Sequence, residues 1–301
     1  MSIFQPTARA LVIGASGLVG QALMRALESG HMTAIGTYTK QAREGLMPLD
    51  ITDLSQARDA LNRIRPEIIF LTGALTHVDY CEDHPDEAFR INTEGASQIA
   101  KEAARLDAKL VFYSTEYVFD GTNGPYDEGA CPCPLSVYGE SKLRAEKLIQ
   151  ENLKNHLILR TTVVYGWERG SKNFAMQVYE KLQSGSKMTI PDDQIGNPTL
   201  ADYLAEVSVR LAQQGATGIV NVVGRDLMPR SEFAKALVKV YGGNLDLVVP
   251  VSTDSLNQRA PRPLRGGLRA EKLTKLLGTE LMPLEEALER LRRQRQADMS
   301  G

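Results

Sequence analysis

Ala10-Leu-Val-Ile-Gly14-Ala-Ser-Gly17-Leu-Val-Gly20 joins a short apolar run to three evenly spaced glycines, and the helical pattern Ala22-Leu-Met-Arg-Ala-Leu27 follows at once. A strand, a glycine turn and a helix in this order are typical of a dinucleotide-binding unit. Gly14 would make the tight turn, Gly17 would let the backbone approach a pyrophosphate, and Gly20 would allow close helix packing. A plain glycine-rich turn is the alternative. The predicted cofactor contacts in this turn are Gly14, Ser16, Gly17, Leu18, Val19 and Gly20.

The end of the second predicted strand, Thr33-Ala-Ile-Gly-Thr37, bears on the choice of cofactor. An acidic residue there would bind the ribose 2′-hydroxyl of NAD and repel a 2′-phosphate. The chain instead offers Thr39, Lys40 and Arg43, and its first acid is Glu44. This pattern favours NADPH, with NADH as the weaker alternative. Lys40 and Arg43 would otherwise be ordinary surface charges.

Two further segments are expected beside the cofactor. Asp50 could accept a hydrogen bond from an adenine amine while Ile51 packs on the ring, or Asp50 could make only local hydrogen bonds. Glu67-Ile-Ile-Phe-Leu71 predicts a buried strand, whose carboxyl end faces the ligand crevice in an open α/β sheet. The residues expected along the cofactor there are Gly73, Ala74 and Leu75. His77, just beyond them, is a candidate for substrate contact or a structural residue.

The candidate catalytic residues are Thr115, Tyr138 and Lys142. Tyr138 and Lys142 are four residues apart, so a helix would place both on one face, where the cation would lower the pKa of the phenol. Such a Tyr could exchange a proton with a carbonyl oxygen, and Thr115 could hydrogen-bond that carbonyl. The Tyr-Lys spacing alone is weak, because it occurs by chance in many exposed helices. The glycine turn and the predicted strand before Thr115 strengthen it.

Six strand patterns alternate with helical ones, which predicts an α/β fold: a Rossmann-type doubly wound parallel sheet with a smaller C-terminal substrate-binding lobe. We expect residues 1–166 to form the dinucleotide-binding domain, with later segments returning to it. Residues 167–301 would form mainly the lobe and a closing helix. Asp86 to Leu106 reads as one helix, in which Asn92 either holds a kink or simply packs.

Composition excludes several classes of function. The chain is 43% hydrophobic and 24% charged, which is ordinary for a globular protein, and its formal net charge of −2 argues against nucleic acid or an anionic membrane as partner. No apolar run reaches about 18 residues, and no secretory signal is evident, so a cytoplasmic location is expected. The three cysteines, Cys81, Cys131 and Cys133, have neither disulfide nor zinc spacing, so no metal site is predicted.

Several longer motifs carry a resemblance to a known family. They are the glycine turn, Tyr113-Ser-Thr-Glu-Tyr-Val-Phe-Asp-Gly121, Pro134-Leu-Ser-Val-Tyr-Gly-Glu-Ser-Lys142, Arg160-Thr-Thr and Asp192-Asp-Gln-Ile-Gly-Asn-Pro-Thr199. From about residue 9 to 293 the chain resembles the extended short-chain dehydrogenase/reductases, and most of all the dTDP-4-dehydrorhamnose reductases. The resemblance implies reduction of the C4 ketone of a dTDP-linked 6-deoxyhexose with NADPH or NADH. Tyr138 would then protonate the carbonyl oxygen, Lys142 would lower the pKa of Tyr138 and bind the nicotinamide ribose, and Thr115 would hydrogen-bond the carbonyl.

Two residues depart from that family's pattern. Glu116 stands where Asp is usual, and Val163 stands where Trp is common, so the sugar pocket would be reshaped and widened. Arg259 and Arg262 are candidates to hold a diphosphate, since a guanidinium matches phosphate geometry, or else they form salt bridges. The predicted substrate-binding residues are His77, Glu116, Tyr117, Val163, Asn173, Asn197, Arg259 and Arg262.

Other functions are compatible with the same motifs. The substrate could be another keto-sugar nucleotide or a non-sugar carbonyl. The chain also resembles the β subunit of methionine adenosyltransferase, which would make it a non-catalytic, NADP-binding regulatory protein. We expect a nucleotide sugar as the small-molecule partner, and a homodimer is an open alternative to a monomer.

Overall fold

The structure, a computed structural model, describes residues 9–168 and 170–300 and is built around a parallel β-sheet. The strands are β1 (Arg9–Ile13), β2 (Thr33–Tyr38), β3 (Met47–Pro48), β4 (Ile68–Leu71), β5 (Lys109–Thr115), β6 (His156–Thr161), β7 (Val164–Tyr165), β8 (Met188–Pro191), β9 (Ile195–Gly196), β10 (Thr199–Leu200), β11 (Gly218–Asn221), β12 (Met228–Pro229) and β13 (Val248–Val251). The α-helices are α1 (Leu18–Ser29), α2 (Leu54–Ile64), α3 (Val78–Asp83), α4 (Pro85–Phe89), α5 (Ala96–Arg105), α6 (Val137–Asn152), α7 (Phe174–Gln183), α8 (Ala201–Gln213), α9 (Arg230–Tyr241), α10 (Glu271–Leu277) and α11 (Leu284–Ser300).

The main sheet has seven strands in the order β11-β6-β5-β4-β1-β2-β3, and all its neighbours pair in parallel. The strand order reverses between β1 and β4, and ligands bind at such a switch point, beyond the carboxyl ends of the strands. This confirms the predicted Rossmann-type sheet. The seventh strand, β11, comes from the second half of the chain and adds to the edge beside β6.

Helices cover both faces of the sheet because successive strand residues point to opposite sides. In β1, Ala10 and Val12 join a core with residues of α1 and α8, whereas Leu11 and Ile13 join a second core with residues of α2 and α5. All four side chains are buried. The sheet is therefore a rigid platform whose carboxyl edge can position reactive groups.

Three short strand pairs lie outside the main sheet. They are β7 with β10, β9 with β12, and β8 with β13, and α9 contacts both β8 and β13. Apart from β7, which lies in the predicted dinucleotide-binding segment, these elements belong to the segment expected to form the substrate-binding lobe. The division at residue 166 stays a prediction. None of the helices among residues 9–168 and 170–300 is both long and apolar enough to cross a membrane.

The helix predicted from Asp86 to Leu106 is interrupted. A π-helical turn, Arg90–Gly95, separates α4 from α5. Inside it, the Asn92 amide accepts from the backbone N of Leu75 at 2.8 Å and donates to the carbonyl of Leu75 at 3.0 Å and to Ser141 Oγ at 3.1 Å. Asn92 therefore ties the loop after β4 to the helix that carries Tyr138, as expected of π-turns near functional sites.

Candidate active site

The glycine turn between β1 and α1 forms one wall of the site. Gly14 has φ of +88°, and a Cβ there would lie 2.7 Å from the backbone N of Gly73. A Cβ on Gly20 would lie 2.2 Å from the carbonyl oxygen of Gly14, so these two positions require glycine. A Cβ on Gly17 would meet nothing closer than 3.5 Å within the protein.

The same turn leaves the start of α1 open to an anion. Gly17 is the N-cap of α1 and has no side chain to bind the first backbone N–H groups. Such N–H groups, together with the helix dipole, bind phosphates. The turn therefore fits the pyrophosphate of a dinucleotide, with Gly17 as the point of close approach.

One cleft of about 500 Å³ joins this turn to the candidate catalytic residues. The predicted cofactor and catalytic residues that line it are Gly14, Gly17, Leu18, Val19, Gly20, Ala74, Thr115, Tyr138 and Lys142. Among the predicted substrate residues, those that line it are Glu116, Tyr117, Val163 and Asn173. Three distant stretches of the chain therefore meet at the switch point.

The remaining predicted cofactor residues do not line this cleft. Asp50 accepts from the backbone N and the hydroxyl of Thr52, both at 2.8 Å, which favours the local role for its carboxylate. Ile51 is buried, and a Cβ on Gly95 would lie 2.8 Å from it. Gly73 N donates to the carbonyl of Ile13 at 3.0 Å, which holds the loop after β4 against the glycine turn.

At the end of β2, the Thr39 hydroxyl donates to the carbonyl of Leu49 at 2.8 Å, while Lys40 is exposed. Arg43 forms an ion pair with Glu168 at 2.6 Å. Arg43, one of the two basic residues predicted to contact the cofactor, is therefore paired with a carboxylate from a distant loop of the chain.

Strand β5 and helix α6 position the candidate catalytic residues. Strand β5 ends at Thr115, and Ser136 caps the start of α6, its hydroxyl accepting from Gly139 N at 3.3 Å. Tyr138 lies in the first turn of α6 and Lys142 one turn later, both buried. The hydroxyl of Thr115 lies beside the phenol of Tyr138 and donates to Glu116 Oε2 at 3.0 Å. A carbonyl placed between these two groups could receive hydrogen bonds from both.

The charge state of the pair differs from the sequence-based expectation. Burial raises the pKa of Tyr138, the nearby charge of Glu116 raises it further, and the adjacent hydroxyl of Thr115 only partly opposes this. Burial also lowers the pKa of Lys142 to about 7, although the negative charge of Glu146 acts to raise it. The Lys142 ammonium nitrogen lies 3.9 Å from the centroid of the Phe112 ring. The predicted lowering of the Tyr138 pKa is therefore wrong for this structure, because the cost of desolvating the phenolate dominates.

Sequence reasoning missed a buried charge network behind Lys142. Glu146 accepts from Arg160 Nε at 3.0 Å and Nη2 at 2.6 Å, and from the Ser114 hydroxyl at 2.5 Å. The side chains of Glu146 and Arg160 are 1% and 2% exposed. This network links α6 to the ends of β5 and β6. The spacing of Glu146, four residues after Lys142, was the available signal.

Sequence reasoning also missed Arg230, the first residue of α9, which lines the cleft. Its Nε is buried and has no hydrogen-bond partner among the described residues. It faces Glu116, a buried carboxyl whose pKa is raised by burial, although the hydrogen bond from Thr115 and the charge of Arg230 oppose this. A donor and an acceptor thus share the substrate side of the cleft. No sequence pattern marks Arg230.

Val163 occupies a strained position beside them. Its φ is +45°, in the left-handed region that is costly for a β-branched residue. Thr199 N donates to its carbonyl at 3.2 Å, which helps to hold this backbone conformation. Val163, at which the resemblance led us to expect Trp, is therefore a small side chain on a strained backbone at the edge of the cleft.

Four predicted substrate residues are occupied by contacts within the protein. His77 caps α3, its Nδ1 accepting from Tyr80 N at 3.0 Å, and buried Asn197 accepts from Leu268 N at 2.9 Å. The ion pair of Arg259 with Asp83 measures 2.7 Å, and that of Arg262 with Asp79 measures 2.8 Å. The salt-bridge alternative is thus favoured for both arginines.

Two predicted residues at the cleft have structural partners as well. Asn173 caps α7, with its Oδ1 accepting from Ala175 N at 3.1 Å. The ring of Tyr117 packs edge-on against the ring of Tyr138, with centroids 5.5 Å apart. The substrate roles of all eight residues stay predictions.

A Rossmann-type sheet, a glycine turn and a Thr-Tyr-Lys set in one cleft define an extended short-chain dehydrogenase/reductase. A family model described as the RmlD substrate binding domain matches residues 8–296, and the chain belongs to this family.

Similar proteins include a probable reductase and a subunit of methionine adenosyltransferase 2. The chain is 32% identical to a probable low-salt glycan biosynthesis reductase, Agl14, of Haloferax volcanii, over 93% of this chain and 95% of that relative. It is 31% identical to methionine adenosyltransferase 2 subunit beta of Bos taurus, over 90% of this chain and 83% of that relative. The crystal structure of dTDP-4-dehydrorhamnose reductase from Bacillus anthracis in complex with NADP is 31% identical and superposes with a TM-score of 0.87, covering 95% of this chain and 98% of that one.

Proposed function

We propose that this protein is an NADPH-preferring reductase of the C4 ketone of a nucleotide-linked deoxysugar. The observation that carries the proposal is the meeting of Thr115, Tyr138 and Lys142 with the glycine turn in one cleft. Likeness to a dTDP-4-dehydrorhamnose reductase in complex with NADP supports both the reaction class and the cofactor.

A nicotinamide cofactor would supply the hydride when bound. Tyr138 would supply the proton. Because burial raises its pKa, the phenol stays protonated at neutral pH and can donate to the ketone oxygen as the carbon gains hydride. Thr115, whose hydroxyl lies beside the phenol, would hydrogen-bond the same ketone oxygen and hold it in line.

Lys142 would contact the cofactor and would also assist the transfer of the proton from Tyr138. Its pKa of about 7 means that protonated and neutral forms coexist near neutral pH. A protonated Lys142 next to a newly formed phenolate would stabilise that anion and then help it to regain a proton. The ribose contact implied by the resemblance is also assigned to Lys142 in this proposal.

The rest of the proposed site follows the geometry of the cleft. The pyrophosphate would lie against Gly17 and the start of α1, and Lys40 and Arg43 would face the adenosine 2′-phosphate. The sugar would lie toward Glu116 and Arg230, which can accept from and donate to its hydroxyls.

The test is reduction of dTDP-4-dehydro-6-deoxy-L-mannose by the purified chain, followed by loss of NADPH absorbance. Tyr138→Phe should lower turnover by a factor of at least about 100, because the proton donor is lost. Tyr179→Phe removes a phenol that lies beside Trp167 and should keep full activity. Absence of turnover, or turnover that survives Tyr138→Phe, would refute the assignment.

A second candidate function rests on the 31% identity with methionine adenosyltransferase 2 subunit beta. In this reading the chain binds NADPH but regulates a partner enzyme. It predicts tight NADPH binding without turnover of the keto-sugar nucleotide, and a changed KM of a methionine adenosyltransferase on mixing. Turnover by the single purified chain would exclude a purely regulatory role. Turnover of a different keto-sugar nucleotide or a non-sugar carbonyl would keep the reductase and change its substrate.

A further inference from the structure

The loop after β7 places a carboxylate against two elements of the proposed cofactor site. Glu168 Oε1 lies 2.6 Å from Arg43 Nη2, and the same oxygen accepts a hydrogen bond from the side-chain amide of Gln21. These contacts span 125 and 147 residues of the chain. The Glu168 side chain is only 12% exposed, whereas Arg43 is 40% exposed.

Gln21 places this carboxylate beside the glycine turn. Its backbone N donates to the carbonyl of Gly17 at 2.9 Å, and its side-chain amide donates to the carbonyl of Ser16 at 3.1 Å. The Glu168 carboxylate therefore lies between the guanidinium of Arg43 and the first turns of α1. Both neighbours favour an anion, since the guanidinium is a cation and the start of a helix carries partial positive charge.

An adenosine 2′-phosphate would need that guanidinium. Arg43 follows β2, and the residues after this strand contact the 2′ position of the ribose in dinucleotide-binding folds. A phosphate pairs well with an arginine fork, but the fork already has a carboxylate partner. The phosphate can bind Arg43 fully only after the Arg43–Glu168 pair has separated.

We propose that Glu168 is a cofactor-selectivity residue, an internal anion that competes with the 2′-phosphate of NADPH for Arg43. This inference rests on the proposed NADPH preference. NADH has no 2′-phosphate and leaves the ion pair intact, so Glu168 weakens the binding of NADPH more than that of NADH. The pair is partly exposed, and such pairs are weak, so the expected effect is about two- to fivefold in affinity.

The experiment measures the dissociation constants of NADPH and NADH by fluorescence titration for the full chain and its variants. Glu168→Gln keeps the size of the side chain and its contact with Gln21 but removes the charge. It should tighten NADPH binding about two- to fivefold and tighten NADH binding less. In the background of Arg43→Gln the same substitution should change NADPH binding less, because the guanidinium for which Glu168 and the phosphate compete is gone.

Glu44→Gln is the matched control, since it removes the same charge from the exposed residue next to Arg43. It should change NADPH affinity less than Glu168→Gln does. The proposal is overturned if Glu168→Gln leaves NADPH binding unchanged or weakens it, tightens NADH equally, or acts equally without Arg43.

This experiment distinguishes failure of the proposed NADPH preference from failure of the proposed role of Glu168. If Arg43→Gln weakens NADPH binding but Glu168→Gln does not tighten it, the cofactor preference stands and the role of Glu168 is refuted. If Arg43→Gln leaves NADPH binding unchanged, both the assigned role of Arg43 and the competition are refuted.

Discussion

The buried ion pair between Glu146 of α6 and Arg160 of β6 leads to a quantitative prediction about Glu146→Gln. This change leaves the guanidinium of Arg160, which is 2% exposed, without a counter-charge. Removing one partner of such a pair typically costs about 3 kcal/mol or more. With a slope of about 3 kcal/mol per M of urea for a chain of this size, the unfolding midpoint should fall by about 1 M. Urea titration followed by circular dichroism measures this shift.

The same helix offers a matched control. Glu140→Gln makes the same substitution in the ion pair with Arg144, whose two side chains are 39% and 57% exposed. An exposed pair contributes about 0.5 kcal/mol or less, so the midpoint should move by about 0.2 M at most. Equal shifts for the two variants would refute the reasoning that burial makes the Glu146–Arg160 pair critical.

Two other predictions concern Lys142 and the glycine turn. Because burial lowers the pKa of Lys142 to about 7 from an ordinary value of 10.5, the unfolded chain binds more protons at this residue between those pH values, and this site makes stability rise with pH. Lys142→Met should therefore stabilise the protein most at pH 7 and progressively less toward pH 9.5 in urea titrations, and a constant difference would contradict it. Gly17→Ala should keep the melting temperature but weaken NADPH binding at least about tenfold, because its Cβ fits the fold and obstructs the pyrophosphate. Gly20→Ala should lower the melting temperature, since its Cβ would lie 2.2 Å from a carbonyl oxygen, and equal melting temperatures for the two variants would refute this distinction.

Structural features that depend on short, continuous stretches of sequence were predictable. The apolar run before Gly14, the glycines after it and the helical pattern beyond are local, so they indicated β1, the turn and α1 correctly. The spacing of Tyr138 and Lys142 is also local, because one helical turn places both residues on one face. These patterns were sufficient for the parallel sheet and for the principal residues of the candidate site.

Features that depend on long-range contact and burial were not predictable. Glu168 meets Arg43 across 125 residues, and Arg230 faces Glu116 from another helix, so no spacing in the sequence indicates either contact. The pKa of Tyr138 was predicted in the wrong direction because helical spacing shows that a cation is near but not how much water is lost. Local sequence specifies backbone conformation and periodicity through sterics and hydrogen bonding. The charge state of a buried group depends on every element packed around it, and only the assembled fold supplies that environment.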